Sequence, residues 1–437
     1  MANIYHFFFG PPGGGWAYPF LWFPGMEAFV VLLVLFPLAL VAALLGSARI
    51  STHERQTLVG FLIFGFFAQL ALRSLAPTTL AMVVDSPGAN GFLGVARTHG
   101  AFTLLSQFDV LVEQLPMHAR ANLPGKALLF HGLLVITESA SAMALLIVTI
   151  STLGAALVYF LAREWFADRQ VAFYAAVFYV FLPARIYFLP VMNVVTPVLA
   201  LVPMCLLELY FSRRRPWLLV ACGVVGYGLI LFEPLPLALA PLAMWQVARR
   251  YRNDELGRMA VVGSVAYPMA GLVAVYFLMK AFVGFDLVTA FLTALDGARD
   301  FNAATARPYG LWVRHNLKDF FLHMGIAQSA LFFAALWTVG FKGTGDAGRW
   351  LILSFAAVLL TIDVLGVNRG EVVRLWIFLG VVLQIIAARQ CARRFRVFAL
   401  VLGLTIAQTA LLMPAVGWVE VERPAENADI STHRLTL

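Results

Sequence analysis

Long apolar stretches separated by short basic segments form the main pattern along the chain. A helix needs about 20 mostly apolar residues to cross a membrane. We therefore expect an all-α integral membrane protein, a polytopic bundle of about 12 transmembrane helices. The candidate spans are residues 27–47, 57–76, 139–162, 170–188, 191–211, 217–234, 235–248, 259–282, 323–341, 350–367, 372–388 and 397–414.

The basic residues between these spans predict the orientation of the chain. If residues 1–26 lie outside, 17 of the 31 Lys and Arg residues fall in six short inside loops, 48–56, 163–169, 212–216, 249–258, 342–349 and 389–396. Such an excess of Lys and Arg is typical of cytoplasmic loops. The prediction is one transmembrane domain at 27–414, with four segments outside: an aromatic interfacial segment at 1–26, polar loops at 73–126 and 283–322, and a tail at 415–437.

Composition supports the membrane class and excludes others. Only 12% of the residues are charged, about half the usual share of a soluble domain. The net charge of +8 does not indicate a nucleic-acid partner, because the basic residues are scattered between apolar segments. The first 26 residues contain no Lys or Arg, so a cleavable signal peptide is not expected. The excess of Arg over Lys, with abundant Ala, Gly and Val, is typical of a bacterial protein, and we expect the inner membrane.

The first external loop begins with a carboxylate at the membrane boundary. Asp85 follows a span directly in VVDSPGANGFLGVARTHG, and a turn is expected at residues 86–88. Residues 90–115 then repeat apolar positions at helical spacing, which predicts interfacial amphipathic helices. A carboxylate beneath such helices could meet a lipid-borne substrate and a polar acceptor together. The alternative is a solvated Asp that only caps a turn.

The same loop ends on a basic cluster. The stretch LPMHARANLPGKALLF brings His118, Arg120 and Lys126 around a Pro-Gly turn that opens an apolar helix. Cations and backbone N–H groups at a helix start suit phosphate. A cluster that only contacts lipid headgroups would need similar residues.

A third cluster follows the span at 350–367. The stretch DVLGVNRGEVVRLWIFL carries Arg369, Glu371 and Arg374 at the predicted external boundary. Charges there are costly unless they are solvated or paired, so we expect a functional site. An Arg can donate two parallel hydrogen bonds to phosphate, and Glu371 could orient one Arg. An Arg–Glu pair that only reaches the interface is the alternative.

Weaker signals lie at other external helix ends. Asn193 and Glu233 could contact a sugar, or they could simply end helices. The second external loop mixes charged and aromatic residues as carbohydrate-binding surfaces do, and as any wet amphipathic loop does. Neither the eight His nor the three Cys show the spacing of a zinc site, so no metal ligand is assigned.

These motifs, with LGAALVYFLAREWFADRQVAFYAAVFYVFLP, resemble the GT-C superfamily of integral membrane glycosyltransferases. The pattern is most similar to the protein mannosyltransferase, aminoarabinose transferase and arabinofuranosyltransferase groups. It covers roughly residues 57–260 and returns at 363–376. Two features depart from it: Asn-Leu-Pro-Gly stands where many relatives have His-Pro-Pro-Gly, and one span precedes the helix that is usually first.

The resemblance implies inverting transfer of a sugar from a polyprenyl-phosphate donor to a hydroxyl at the extracytoplasmic face. Asp85 matches the acidic residue that acts as general base in that superfamily or lies beside it. Arg369 and Arg374, with Lys126 or Arg120, would bind the donor phosphate, and His118, Glu371, Asn193 and Glu233 would contact the substrate. A glycan, lipid or protein would be the acceptor. No cofactor is required, although a divalent cation would be compatible.

Two other classes compete with this interpretation. A transporter or flippase for lipid-linked saccharides would need polar residues along the middle of several spans. The predicted spans are mostly apolar, with exceptions such as Glu208 and Asp363, and the charges lie at external ends. A scaffold without catalytic function would not need three charged clusters on one face. The sequence pattern therefore favours surface chemistry.

Overall fold

The computed structural model describes residues 18, 24–305, 307–342, 347–419 and 421. The described residues are 82% helical and contain no β-strand, as expected for the all-α class. In chain order the α-helices are α1 Met26–Arg49, α2 Glu54–Arg73, α3 Leu80–Asp85, α4 Pro87–Thr98, α5 Ala101–Ser106, α6 Phe108–Leu111, α7 Met117–Arg120, α8 Gly125–Ile136, α9 Ala140–Phe166, α10 Arg169–Val180, α11 Pro183–Tyr187, α12 Thr196–Arg213, α13 Trp217–Phe232, α14 Ala240–Arg252, α15 Arg258–Leu278, α16 Leu287–Ala304, α17 Tyr309–His323, α18 Ile326–Lys342, α19 Ala347–Leu365, α20 Val372–Leu375, α21 Ile377–Gln390 and α22 Phe395–Ala415.

Within the described part of the chain, eight segments are long and apolar enough to cross a membrane. A ninth would be the pair α17 and α18, which is bent by 111° at a short break. These helices make the chain a multi-pass membrane protein. The eight are Met26–Arg49, Glu54–Arg73, Ala140–Phe166, Arg169–Tyr187, Met192–Arg213, Arg258–Val283, Gly348–Leu365 and Phe395–Ala415.

The predicted number of twelve spans is not confirmed. Two of the remaining candidates form apolar helices shorter than a full span, α13 and α21. The candidate at 235–248 is divided between a 3-10 turn at Leu235–Leu239 and α14, whose last turn is basic. The length and composition of these segments alone do not establish that they cross the membrane.

The centre of the bundle is the Arg169–Tyr187 segment together with α21. In the first, 94% of the 18-residue apolar stretch is buried, and α21 is buried over almost its whole length. In contrast, only 17% of the corresponding apolar stretch in Arg258–Val283 is buried. Since large apolar side chains are exposed along most of its length, α15 presents a surface suited to lipid.

Glycines allow the peripheral helices to pack closely. A side chain on Gly223 of α13 would collide with the carbonyl oxygen of Pro268 in α15, and one on Gly271 of α15 would collide with the carbonyl of Val220. Small residues at a membrane helix interface permit such close approach of two backbones. The short helix α13 is therefore held against a longer neighbour.

Two long connections cover one end of the bundle. The segment between α2 and α8 folds into the short helices α3 to α7, which occupy most of the stretch where interfacial helices were predicted. The segment between α15 and α17 contains α16. We call this end, where α2 terminates, the outer end, and the end with the turn between α1 and α2 the inner end.

The predicted terminal segments fall mostly outside the described residues. Of residues 1–26 only 18 and 24–26 are described, and of residues 415–437 only 415–419 and 421. The expectations for an aromatic interfacial segment and an external tail therefore remain predictions.

Candidate functional site

A cavity of about 320 Å³ lies at the outer end of the bundle. Six regions that are distant in sequence meet around it: α4, the stretch from His118 to the start of α8, Asn193 after α11, the turn after α13, α16 with Arg307 after it, and the loop before α20. We call it the charged cavity. Seven of the nine site residues predicted from the sequence line it: His118, Lys126, Asn193, Glu233, Arg369, Glu371 and Arg374.

Lys126 and Glu233 form a buried ion pair on one wall, with 2.7 Å between Nζ and Oε2. Lys126 also donates to Asn122 Oδ1 at 2.8 Å, and Asn193 donates to Glu233. Gly125 makes this pairing geometrically feasible, because a side chain there would collide with the backbone of α13 at residues 231 and 232. The predicted Pro-Gly turn thus brings the start of α8 against the end of α13.

Glu371 is held between two guanidinium groups on the opposite wall. Arg307 Nη2 donates to its Oε1 at 2.9 Å, and Arg374 donates to its Oε2 through Nε at 3.0 Å and through Nη2. Burial raises the pKa of Glu371, but the charges and hydrogen bonds of Arg374 and Arg307 outweigh burial and lower the pKa to about 2. Glu371 is therefore an ionised anchor and a weak base.

Two glycines shape the loop that carries Arg369 and Glu371. Gly366 and Gly370 have φ values of +60° and +74°, in the left-handed region. A residue with Cβ is strained there, whereas glycine is not. A side chain at Gly366 would also collide with the ring of Tyr309, so the tight turn depends on both the φ values and the missing side chains.

Arg369 differs from the other cations of the cavity because it pairs with no carboxylate of a described residue. Its guanidinium donates to the carbonyl oxygens of Gly366 at 2.9 Å and Arg307 at 3.1 Å. It also lies 5.5 Å from the ring centroid of Tyr309, a cation–π distance. Its charge is thus positioned without being neutralised.

The charged cavity carries a surplus of positive charge. Its cationic side chains are Lys126, Arg307, Arg369 and Arg374, and its carboxylates are Glu233 and Glu371, which leaves a formal charge of +2. Uncompensated charge in a partly enclosed site is costly unless a counter-ion binds. The arrangement is therefore suited to a phosphate group.

One side of the charged cavity is apolar. Helix α16 contributes Phe291, Ala294, Leu295, Ala298 and Phe301, which recur at helical spacing along one face. Phe92 and Leu375 extend this apolar lining. A ligand with a phosphate and a hydrocarbon chain would find complementary surfaces side by side.

Two predicted residues do not line the charged cavity. Asp85 is about half exposed, and its carboxylate lies 3.7 Å from Arg97, beyond hydrogen-bond range. It precedes the lining residue Ala89 by four positions. Arg120 is exposed at the end of α7, where its backbone, not its guanidinium, packs near Gly297 of α16.

His118 lies between this cavity and a second one of about 270 Å³, which shares Ala89, Glu371 and Arg374 with it. Phe188 and Trp418 add aromatic surface to the second cavity, and Gly88 brings it within three residues of Asp85. Burial lowers the pKa of His118, and the nearby positive charge of Arg374 lowers it further. The imidazole is therefore neutral at neutral pH.

Arg307 is a contributor to which the sequence analysis gave no role. It lies 64 residues before its partner Glu371, in a loop that looked like any amphipathic connection. The apolar face of α16 was also missed, although the spacing of its apolar residues is a recognisable helical signal.

No group of three or more side chains that could hold a metal ion occurs in the described ranges. The three cysteines are free, and Cys205 and Cys391 are buried. A requirement for a divalent cation stays a matter for experiment.

Comparison with known proteins gives no assignment. No protein-family model matches the chain. No curated protein matches it either.

Proposed function

We propose that the protein is a membrane glycosyltransferase that moves a sugar from a polyprenyl-phosphate donor to a hydroxyl acceptor, with inversion, at the extracytoplasmic face. The observation that carries this proposal is the charged cavity with Arg369, a cation that no carboxylate of the described residues neutralises. Its position next to an apolar wall fits a phosphate attached to a hydrocarbon chain.

The donor phosphate would bind to the cationic side of the charged cavity. Arg369 offers two or more N–H donors in a plane, a geometry that suits phosphate oxygens. Arg374 and Lys126 lie on the same cavity, each held by its carboxylate partner. As the bond between the sugar carbon C1 and the phosphate oxygen breaks, the charge growing on that oxygen would be stabilised by these fixed cations.

The acceptor would approach from the second cavity. Its aromatic surface at Phe188 and Trp418 could pack against a sugar ring, and it meets the charged cavity at His118. Attack from the side opposite the phosphate would invert the configuration at C1. The acceptor is a hydroxyl of a glycan, lipid or protein.

Asp85 is our candidate for the general base. Both carboxylates of the charged cavity are engaged in ion pairs, and Glu371 is too weak a base. Among the described residues, Asp85 makes no ion pair shorter than its 3.7 Å contact to Arg97, so it can accept the acceptor proton without breaking a buried pair. The proton would pass to this carboxylate as the new bond to C1 forms.

Sugar transfer in liposomes tests the function and the base together. Purified protein would receive a panel of radiolabelled polyprenyl-phosphate sugars and a membrane extract as acceptor. Removing a general base lowers the rate by about 10²–10⁴-fold, and we expect this loss in Asp85→Asn. The Asp109→Asn variant is the matched control and should keep full activity, because Asp109 is an exposed carboxylate of the same loop outside the charged cavity.

The outcomes separate the competing interpretations. If Asp85→Asn retains full activity, or loses no more than Asp109→Asn, Asp85 is not the base. If wild-type protein binds the donor but transfers no sugar to any acceptor, the glycosyltransferase proposal is wrong and a transporter for lipid-linked saccharides takes its place.

A further inference from the structure

A second kind of ligand surface lies at the inner end of the bundle, between α1 and α2. The two helices enclose a groove of about 560 Å³ beside the turn that joins them. Helix α2 has 20 residues and so spans about 30 Å, roughly the thickness of the hydrocarbon core. This α1–α2 groove is therefore separated from the charged cavity by the width of a membrane.

The end of the groove near the turn is polar and basic. It is lined by Arg49, His53, Gln56 and Thr57, and no Asp or Glu of the described ranges lines the groove. Arg49 is exposed, and its guanidinium pairs with no carboxylate among the described residues. The hydroxyl of Thr57 is buried and has no hydrogen-bond partner in the same part of the chain. These groups could contact an anion together.

The nearest acidic residue does not cancel this charge. Glu54 is already paired with two arginines of the neighbouring helices, at 2.6 Å from Arg163 and 3.4 Å from Arg169. The carboxylate is therefore engaged away from the groove. Arg49 and His53 remain as the basic groups that a ligand entering the groove would meet.

The rest of the groove is apolar and open. Leu45, Phe61 and Phe64 form its walls, and a side chain added at Gly60 would meet no atom within 4 Å. Both helices present apolar residues outward, such as Val41 and Ile63. The groove therefore opens beside helix surfaces suited to lipid tails.

We propose that the α1–α2 groove binds an anionic phospholipid of the inner leaflet, with its phosphate at Arg49 and His53 and an acyl chain along Phe61 and Phe64. Basic pockets between transmembrane helices on the cytoplasmic side are suited to such headgroups. The basic end favours a lipid over an apolar helix of another protein, because a helix would leave Arg49 without a counter-ion. This site is independent of sugar transfer.

Native mass spectrometry of the purified protein with added phosphatidylglycerol or phosphatidylcholine tests the proposal. We expect the wild-type protein to retain phosphatidylglycerol in preference to phosphatidylcholine. One arginine near an anionic surface changes affinity by about fivefold, and Arg49→Gln should lose that factor. Arg55→Gln is the matched control, since Arg55 is exposed at the start of α2 but does not line the groove.

A second variant tests the apolar part of the α1–α2 groove. Gly60→Leu places a side chain into open space within a helix, so the fold should persist while the acyl chain is excluded. Glycerol phosphate, which lacks acyl chains, should not displace the lipid from wild-type protein. Equal retention in Arg49→Gln, Arg55→Gln and wild type, or full retention in Gly60→Leu, would overturn the proposal, as would displacement by glycerol phosphate.

Discussion

Charged residues gather at both ends of the bundle, but in different ways. At the inner end four Glu and four Arg form a paired network between helices: Glu54, Glu164, Glu208, Glu255, Arg163, Arg169, Arg249 and Arg250. At the outer end cations outnumber carboxylates around a cavity. The inner network is balanced and compact, whereas the outer cluster is unbalanced and open.

This difference indicates where a ligand can act. Glu208 is completely buried and accepts hydrogen bonds from Arg249 at 3.2 Å and Arg250 at 2.9 Å, so its lone pairs are used within the fold. In the charged cavity, as far as the chain is described, the guanidinium of Arg369 donates to backbone carbonyl oxygens and pairs with no carboxylate. Charge alone does not identify a site. A ligand site is indicated where cations outnumber their carboxylate partners beside a cavity.

The largest expected effect is on stability and comes from the inner network. Removing one partner of a buried ion pair costs about 3–5 kcal/mol, and Glu208→Gln would leave two guanidinium groups without their carboxylate. We expect a clear fall in the midpoint of unfolding in detergent. Protein that remains folded should transfer sugar normally. An unchanged midpoint, or a selective loss of transfer, would contradict the structural role of this network.

The second effect is on catalysis and comes from the charged cavity. Loss of one fixed donor to a developing charge lowers kcat by about 10²–10³-fold, which we expect for Arg369→Gln without a change in the unfolding midpoint. Kinetics of sugar transfer at saturating donor would measure it. Arg120→Gln is the control, because Arg120 was predicted to bind phosphate but lies exposed outside the cavity. Equal losses in both variants would remove the special role of Arg369.

The smallest effect is a dependence of donor binding on pH. The pKa of His118 is lowered by burial and by the charge of Arg374, so the imidazole is neutral at neutral pH. A bound phosphate nearby would raise that pKa, so binding takes up a proton and strengthens as pH falls. Donor affinity should therefore rise from about pH 7.5 to about pH 5.5. The rise is at most about tenfold for each unit by which donor binding raises the pKa of His118. His118→Gln should remove this rise, and its persistence would assign the proton elsewhere.

The sequence was informative where one property dominates over a long stretch. Runs of apolar residues are enough to identify the all-helical membrane class. The hydrocarbon core of a bilayer accepts an apolar segment only if its backbone hydrogen bonds are satisfied within the protein, as they are in a helix. Apolar runs are less informative for α13 and α21, which are shorter than a full span and packed among longer helices. Whether such a short helix crosses the membrane depends on the helices packed around it, and the sequence does not show that packing.

The charged residues of the candidate site were recognisable because charge is rare in this chain and costly at a membrane boundary. Their partners were not, because Arg307 meets Glu371 and Lys126 meets Glu233 only through folding. Arg120 and Lys126 looked equivalent in sequence. Only the structure separates them, because Gly125 brings Lys126 against α13 while Arg120 stays on the surface.

The central claim is that the charged cavity binds a lipid phosphate through Arg369, and direct binding tests it most clearly. Radiolabelled polyprenyl monophosphate and the matching polyprenol, which lacks the phosphate, would be titrated into wild-type protein and Arg369→Gln. We expect the wild type to prefer the phosphate form by at least about tenfold, and the preference to disappear in the variant, since hydrogen bonds to charged groups contribute about 1.5–3 kcal/mol. Equal binding of both lipids, or an unchanged preference in Arg369→Gln, would contradict the claim.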